Sequence, residues 1–158
     1  MRVQESTTIN VPPETVFAYV SDPEKSQRWD QSLVEVKVLT NGPFGLGTRV
    51  REVRESPAVR TPPSKRLPTL TIPAAEMGWT TVEGEMDSTG SITVEPQGDG
   101  SRVVFEMSGR GNAFMTVLSP LISWSVGREV RRNLQALKSL AEAPQETGTP
   151  EPSPAAGP

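Results

Sequence analysis

Apolar and polar residues alternate with a period of two through much of this chain, then switch to a helical period near its end. Ser101-Arg102-Val103-Val104-Phe105-Glu106-Met107 places Val103, Phe105 and Met107 on one face of a strand and points Glu106 to the other. Further on, Leu118, Ile122, Val126, Val130, Leu134, Leu137 and Ala141 recur at spacings of three and four, which makes one apolar stripe along a helix. Ser119 suits the cap of that helix and Pro120 its first turn, where no amide partner is lost. A helix of this length beside many strands is expected to lie across a curved sheet. That arrangement tends to leave a cavity between helix and sheet.

The earlier elements follow from the same patterns. Arg2 to Ile9 reads as a strand, and Pro13 with Glu14 opens a helix whose buried side is Val16, Phe17 and Val20. Asp22 caps a second, short helix that ends near Trp29. Six strands are predicted next. Leu33–Leu39 carries Val34, Val36 and Val38 on one face, with Glu35 and Lys37 on the other. A glycine-rich loop, 41–47, leads to strand Thr48–Glu55. The proline-rich 56–65 is expected to be irregular, and Arg66–Ile72, broken by Pro68, to be an edge strand. Trp79–Met86 and Gly90–Glu95 are joined across Asp87-Ser88-Thr89, and Gln97-Gly98-Asp99-Gly100 turns into the last strand. The order β-α-α-β6-α predicts an α+β fold: a bent antiparallel sheet of about seven strands wrapped around a long C-terminal helix.

Composition narrows the chemistry. Residues 143–158 hold five prolines and no aromatic or branched aliphatic residue, so a disordered tail is expected after a single domain at 1–142. Two of the 19 acids lie in the tail, which leaves 17 against 16 bases in the domain. That balance argues against nucleic-acid binding through a basic surface. Arg128, Arg131, Arg132 and Lys138 on the last helix read as a solvated face. Without histidine or cysteine there is no disulfide, no Cys/His zinc site and no Ser-His-Asp arrangement. The N-terminus lacks an apolar run and no stretch approaches the ~20 apolar residues of a membrane helix, so the expectation is a soluble cytoplasmic protein.

Candidate site residues come from the strand faces and the tryptophans. Thr48, Val50, Glu52 and Arg54 share one face of their strand and Arg49, Arg51, Val53 and Glu55 the other, so either face carries ionisable groups. An inward Glu52 would have a raised pKa and serve as general acid or base. An inward arginine would instead hold a ligand's carboxylate or phenolate. Charges solvated near a sheet edge are the bland alternative. Trp29, Trp79 and Trp124 are either pocket-lining or plain packing residues. Tyr19, on the first helix, favours packing or exposure. Glu83 and Glu85 share a strand face but read as a wetted surface, so no metal is expected. The 41–48 loop lacks a Gly-Lys-Ser/Thr ending and lies between strands, which argues against phosphate binding.

Ile9-Asn10-Val11-Pro12-Pro13-Glu14-Thr15-Val16-Phe17, Val20-Ser21-Asp22-Pro23-Glu24 and Arg28-Trp29-Asp30 resemble the opening of the START-like (SRPBCC, polyketide cyclase/dehydrase, Bet v 1-like) superfamily. Gly45-Leu46-Gly47-Thr48, Glu95-Pro96 with Gly98-Asp99-Gly100, and Asn133-Leu134 with Leu137-Lys138 are similar to later signatures of that family. The resemblance implies a helix-grip fold with a deep, mostly apolar cavity, and puts Trp29 beside its entrance. The ligand-binding candidates are then Trp29, Val50, Glu52, Trp79, Phe105, Met107 and Trp124, with Glu52 the catalytic candidate. Two functions are expected from this: uptake of a hydrophobic small molecule or lipid without a cofactor, or closure and dehydration of a poly-ketone or aromatic substrate. A protein-interaction module is a third class.

Overall fold

A computed structural model describes residues 1–45, 47–55, 64–71, 76–83, 87–110 and 119–144. They form strand β1 (Arg2–Ile9), helices α1 (Pro13–Val20) and α2 (Pro23–Ser26), strands β2 (Leu33–Val38), β3 (Val50–Arg54), β4 (Ser64–Thr71), β5 (Glu76–Glu83), β6 (Asp87–Gln97) and β7 (Gly100–Arg110), and helix α3 (Ser119–Glu142). The seven strands pair antiparallel in the order β1-β7-β6-β5-β4-β3-β2. The sheet and C-terminal helix are the α+β helix-grip architecture expected from the sequence.

Local chemistry accounts for the starts and turns. Pro13 occupies the first turn of α1, and the Asp22 carboxylate accepts from the amides of Glu24 and Lys25 to cap α2. Gly98, at φ 58°, makes the two-residue connection between β6 and β7, which continue as the longest ladder in the sheet.

Four expectations need correction. The regular alternation expected of β2, with Val34, Val36 and Val38 on one face, is broken: β2 is the sheet edge, and a bulge at Val34 sets Leu33 inward while Val34 is 53% exposed. Strand β4 is interior, between β3 and β5, not an edge. It accommodates Pro68 because its ladder with β3 stops at Arg66, so Pro68 has a paired neighbour only on the β5 side. Asp87, Ser88 and Thr89 belong to β6 rather than to a turn, which moves the connection to 84–86, outside the described residues. Gly109-Arg110-Gly111, which the sequence suggests as the entry to the last helix, instead has its first two residues at the end of β7, with Gly111 outside the described residues. The expectations for 56–63, for the Glu83 and Glu85 side chains and for the tail beyond Pro144 also fall outside what is described.

The core lies at the sheet–helix interface and includes Val3, Trp29, Trp79 and Ile92. Ile9 on β1, Val16 and Val20 on α1, Val94 and Val103 on β6 and β7, and Val130, Leu134, Leu137 and Ala141 on α3 are buried in one cluster. This interface is also pinned by polar contacts. Lys138 Nζ donates to the Thr8 carbonyl and to Glu142, Glu142 accepts from the Asn10 amide, and the buried Ser101 hydroxyl donates to the Val11 carbonyl. Towards the start of α3 the same stripe loosens, and Ile122 and Val126 are only half-buried.

One glycine shows how tightly the middle of the sheet is filled. Gly90 on β6 pairs with Trp79 on β5, whose indole lies over it. A β-carbon at position 90 would collide with the Trp79 ring, and it would stand 2.6 Å from the Glu106 carbonyl oxygen. Gly90→Ala is expected to destabilise the protein by about 1–3 kcal/mol through this overpacking, read as a lower urea midpoint at unchanged slope.

Candidate ligand cavity

Strand alternation and register put a defined set of side chains on the face that α3 covers. Val3, Met107, Gly90 and Trp79 form one row across β1, β7, β6 and β5. Phe105, Ile92 and Met77 form the next. Trp79 and Phe105 pack with ring centroids 5.4 Å apart at an interplanar angle of 43°. Helix α3 runs along β1, with Gly127 above Val3 and Glu5. Phe105 and Met107 are on β7, second from the β1 edge, and they and Met77 remain only partly buried. Burial is therefore graded: complete at Val103 and Leu137, partial at Phe105, Met107 and Val126. The interface is filled around Val103 and Leu137, while Phe105 and Met107 stay partly exposed next to the buried Val3, Ile92 and Trp79.

Besides Glu5 on β1, polar groups stand at two places on this face among the described residues. Thr81 and Ser88, buried side by side on β5 and β6, share a hydrogen bond of 2.6 Å. The larger group gathers around Asp30, between α2 and β2, which is 6% exposed. Arg54 Nη1 on β3 lies 2.6 Å from Asp30 Oδ2 and 2.9 Å from Ser32 Oγ, and Arg54 Nε lies 3.0 Å from Glu52 Oε2. Asp30 Oδ1 accepts from Ser32 Oγ at 2.7 Å and from Asn133 Nδ2 at 2.8 Å, and the Asn133 carbonyl oxygen accepts from the Gln31 amide. One carboxylate thus joins the α2–β2 connection, β3 and α3.

Burial, the largest single influence, pushes Asp30 towards its neutral form. The Arg54 guanidinium, with hydrogen bonds from Ser32 and Arg54, outweighs it and holds the carboxyl below its ordinary value. For Arg54 burial again opposes the charge, and the Asp30 and Glu52 carboxylates more than restore it. Asp30 and Arg54 meet as ions, in a charge-assisted pair.

The candidate residues divide accordingly. Trp79, Phe105 and Met107 come together on the covered face. Val50 and Glu52 lie on the same face two strands away, Val50 fully buried and Glu52 bound to Arg54. Glu52 is therefore not the isolated buried acid imagined from the sequence, and β3, second from the edge, does not turn these charges to solvent. Arg54 Nη1 and Nε are engaged by Asp30, Ser32 and Glu52, so they are not waiting for a ligand's carboxylate. Trp29 is buried in the core cluster, and its indole N–H has no hydrogen-bond partner among the described residues. Trp124 does not join the set: it is 59% exposed, on the outer side of α3, with the Arg128 guanidinium 5.8 Å from its ring centroid. Tyr19 lies under Lys25, 5.9 Å from its ammonium. The 41–48 loop closes on itself, with Thr48 Oγ1 accepting from the Gly45 amide.

Asp30, Ser32 and Asn133 were not singled out for any role from sequence. A signal was present for Asn133, a polar residue beside Val130, Leu134 and Leu137 on the buried side of α3.

The chain belongs to the family described as polyketide cyclase/dehydrase and lipid transport, which matches residues 1–142. Among solved structures it is similar to a protein of Thermus thermophilus, with 20% identity over 89% of this chain and 97% of that one and a TM-score of 0.78. It is also similar to a START superfamily protein of Mycobacterium smegmatis (15% identity, 89% and 97% covered, TM-score 0.76). The ZhuI aromatase/cyclase of Streptomyces sp. R1128 shares the fold as well (14% identity, 90% and 93% covered, TM-score 0.73). No curated protein sequence matches. Among the described residues no helix is long and apolar enough to cross a membrane.

The Asp30 network makes a stability prediction. Arg54→Met strands two inward carboxylates and should cost about 3–5 kcal/mol in urea denaturation, whereas a surface arginine change should cost little. Because the folded Asp30 value lies below the unfolded one, its stabilising contribution is fully present above about pH 4 and is lost as pH falls through the folded value. Asp30→Asn should therefore flatten the acid side of the stability–pH curve.

Proposed function

We propose that this protein binds a hydrophobic small molecule or lipid between the sheet and α3. The observation that carries this is the set of large apolar side chains, Phe105, Met107 and Met77 beside Trp79, left partly open on a face that a helix covers. A folded domain closes such a face unless something else occupies it. The Thr81–Ser88 hydroxyls and the buried Trp29 N–H supply the few polar groups that orient a mostly apolar ligand. Membership of a family whose description includes lipid transport supports the same reading.

A cyclase or dehydrase activity is the second reading, favoured by one observation: Glu52 is an ionisable group on the ligand-facing side of β3. The structural likeness to an aromatase/cyclase is consistent with it. Proton transfer needs a titratable group within hydrogen-bond reach of the reacting position, and with no histidine in the chain Glu52 is the strongest candidate.

Native mass spectrometry of freshly purified protein, with released small molecules identified after denaturation, tests the binding reading. A discrete apolar adduct is expected; a bare mass that persists after incubation with fatty acids, sterols and polyphenols refutes it. Met107→Gln should weaken uptake roughly tenfold by replacing apolar contact with an amide, while Trp124→Ala, on the outer surface, should leave affinity unchanged. For the catalytic reading, Glu52→Gln should abolish turnover of a bound poly-ketone and spare its affinity. Undiminished turnover removes Glu52 from the chemistry.

A further inference from the structure

The outer side of α3 carries a second feature that ligand binding does not use. Leu121 and Trp124, 63% and 59% exposed, are the most exposed large apolar residues among those described. At the angular spacing of a helix, Leu121, Trp124, Arg128, Arg131 and Arg132 fall within a sector of roughly 100°. All five are exposed. Between Leu121 and Arg132 this sector contains no carboxylate of α3; Glu5 on β1 reaches its rim and pairs with Arg131, 3.1 Å from Nε. An apolar tip thus passes into a run of three arginines, on a chain whose overall charge is −3.

We propose that this face docks on an anionic phospholipid bilayer. Charge complementarity selects the partner: arginine guanidiniums bind lipid phosphates, and a net-acidic protein turns its basic face towards a negative surface. The apolar tip selects a bilayer over a nucleic acid. Tryptophan beside leucine suits the boundary between headgroups and acyl chains, and a phosphate backbone has no use for Leu121. A second copy of the chain is disfavoured because joining two such faces brings the arginines of both into one contact. The location adds weight. Leu121 and Trp124 share the first turns of α3 with Ile122 and Val126, where the buried stripe of the helix loosens to half-buried residues. Docking there would set that part of the sheet–helix interface against the membrane. The proposal stands on the surface alone and does not require the interface to bind a ligand.

Vesicle binding by the full chain tests it, with phosphatidylcholine alone and with phosphatidylcholine containing phosphatidylglycerol. Trp29 and Trp79 are already buried, so a blue shift of tryptophan emission on adding vesicles reports on Trp124. The expected result is co-sedimentation and a blue shift with the anionic vesicles only, both weakened by salt. Replacing Arg128 and Arg132 together by Gln should lower affinity roughly thirtyfold. Leu121→Ser with Trp124→Ser should abolish the shift. These residues are exposed, so the variants should keep the parent's thermal transition. Absence of binding, equal binding to neutral vesicles, or variants that bind like the parent would overturn the proposal. Self-association lost on Trp124→Ser, or binding to RNA but not to vesicles, would also overturn it, in favour of a protein or nucleic-acid partner.

Discussion

The arrangement depends first on one buried carboxylate. Asp30 lies in a short connection that no regular hydrogen-bond ladder holds, and it is placed by Arg54 from the sheet and Asn133 from α3. Each partner answers a need of the others. The carboxylate requires a cation to remain charged away from water, and the guanidinium requires acceptors for its fixed fork of donors. The Asn133 amide, buried on a helix, needs both a donor and an acceptor partner, and finds them in Gln31 and Asp30. The network is conditional: complete, it joins three elements, and broken at any member it strands charge in a poorly solvated place. Its position next to Trp29 also fixes the connection that precedes the sheet's edge strand.

The second constraint is volume. The covered face is filled unequally: Val3, Ile92 and Trp79 are buried, while Phe105, Met107 and Met77 in the same rows are only partly so. Gly90 lets the Trp79 indole lie flat on the sheet, where it meets Phe105, so a large ring lines the interface instead of plugging it. Helix α3 follows the same gradient, since its stripe is fully buried from Val130 to Ala141 and only half-buried at Ile122 and Val126. Fully buried and partly exposed apolar side chains therefore coexist within one layer. The exposed Leu121 and Trp124 are on the outer side of the helix near its start.

Much of the fold is legible in the chain alone, because it rests on local rules. Proline at helix starts, the Asp22 cap and the Gly98 turn each act over a few residues, and they appear where the pattern put them. Errors arose where pairing decided the outcome. Val34, Val36 and Val38 alternate as a buried face should, yet their strand has a neighbour on one side only and a bulge resets its register. Pro68 marks an edge by its missing donor, but in a strand paired over only part of its length on one side it needs no edge. For the site, Trp79, Phe105 and Met107 were recognisable as apolar, pocket-lining types. Trp124 was equally apolar and went to the surface, and periodicity alone already set it off the apolar stripe, nearly opposite it on the helix.

By itself, then, the sequence determined the class of fold, the order of elements and the absence of histidine and cysteine chemistry, Cys/His zinc sites included, since these follow from residue type and local period. Only the tertiary structure decided which ionisable groups meet. Asp30, Arg54 and Asn133 are far apart in the chain, and nothing local to any of them specifies the other two. Charge pairing, like the choice between a filled core and an open interior, is a property of distances across the folded layer. Those distances exist only once the strands have paired and the helix has settled on them.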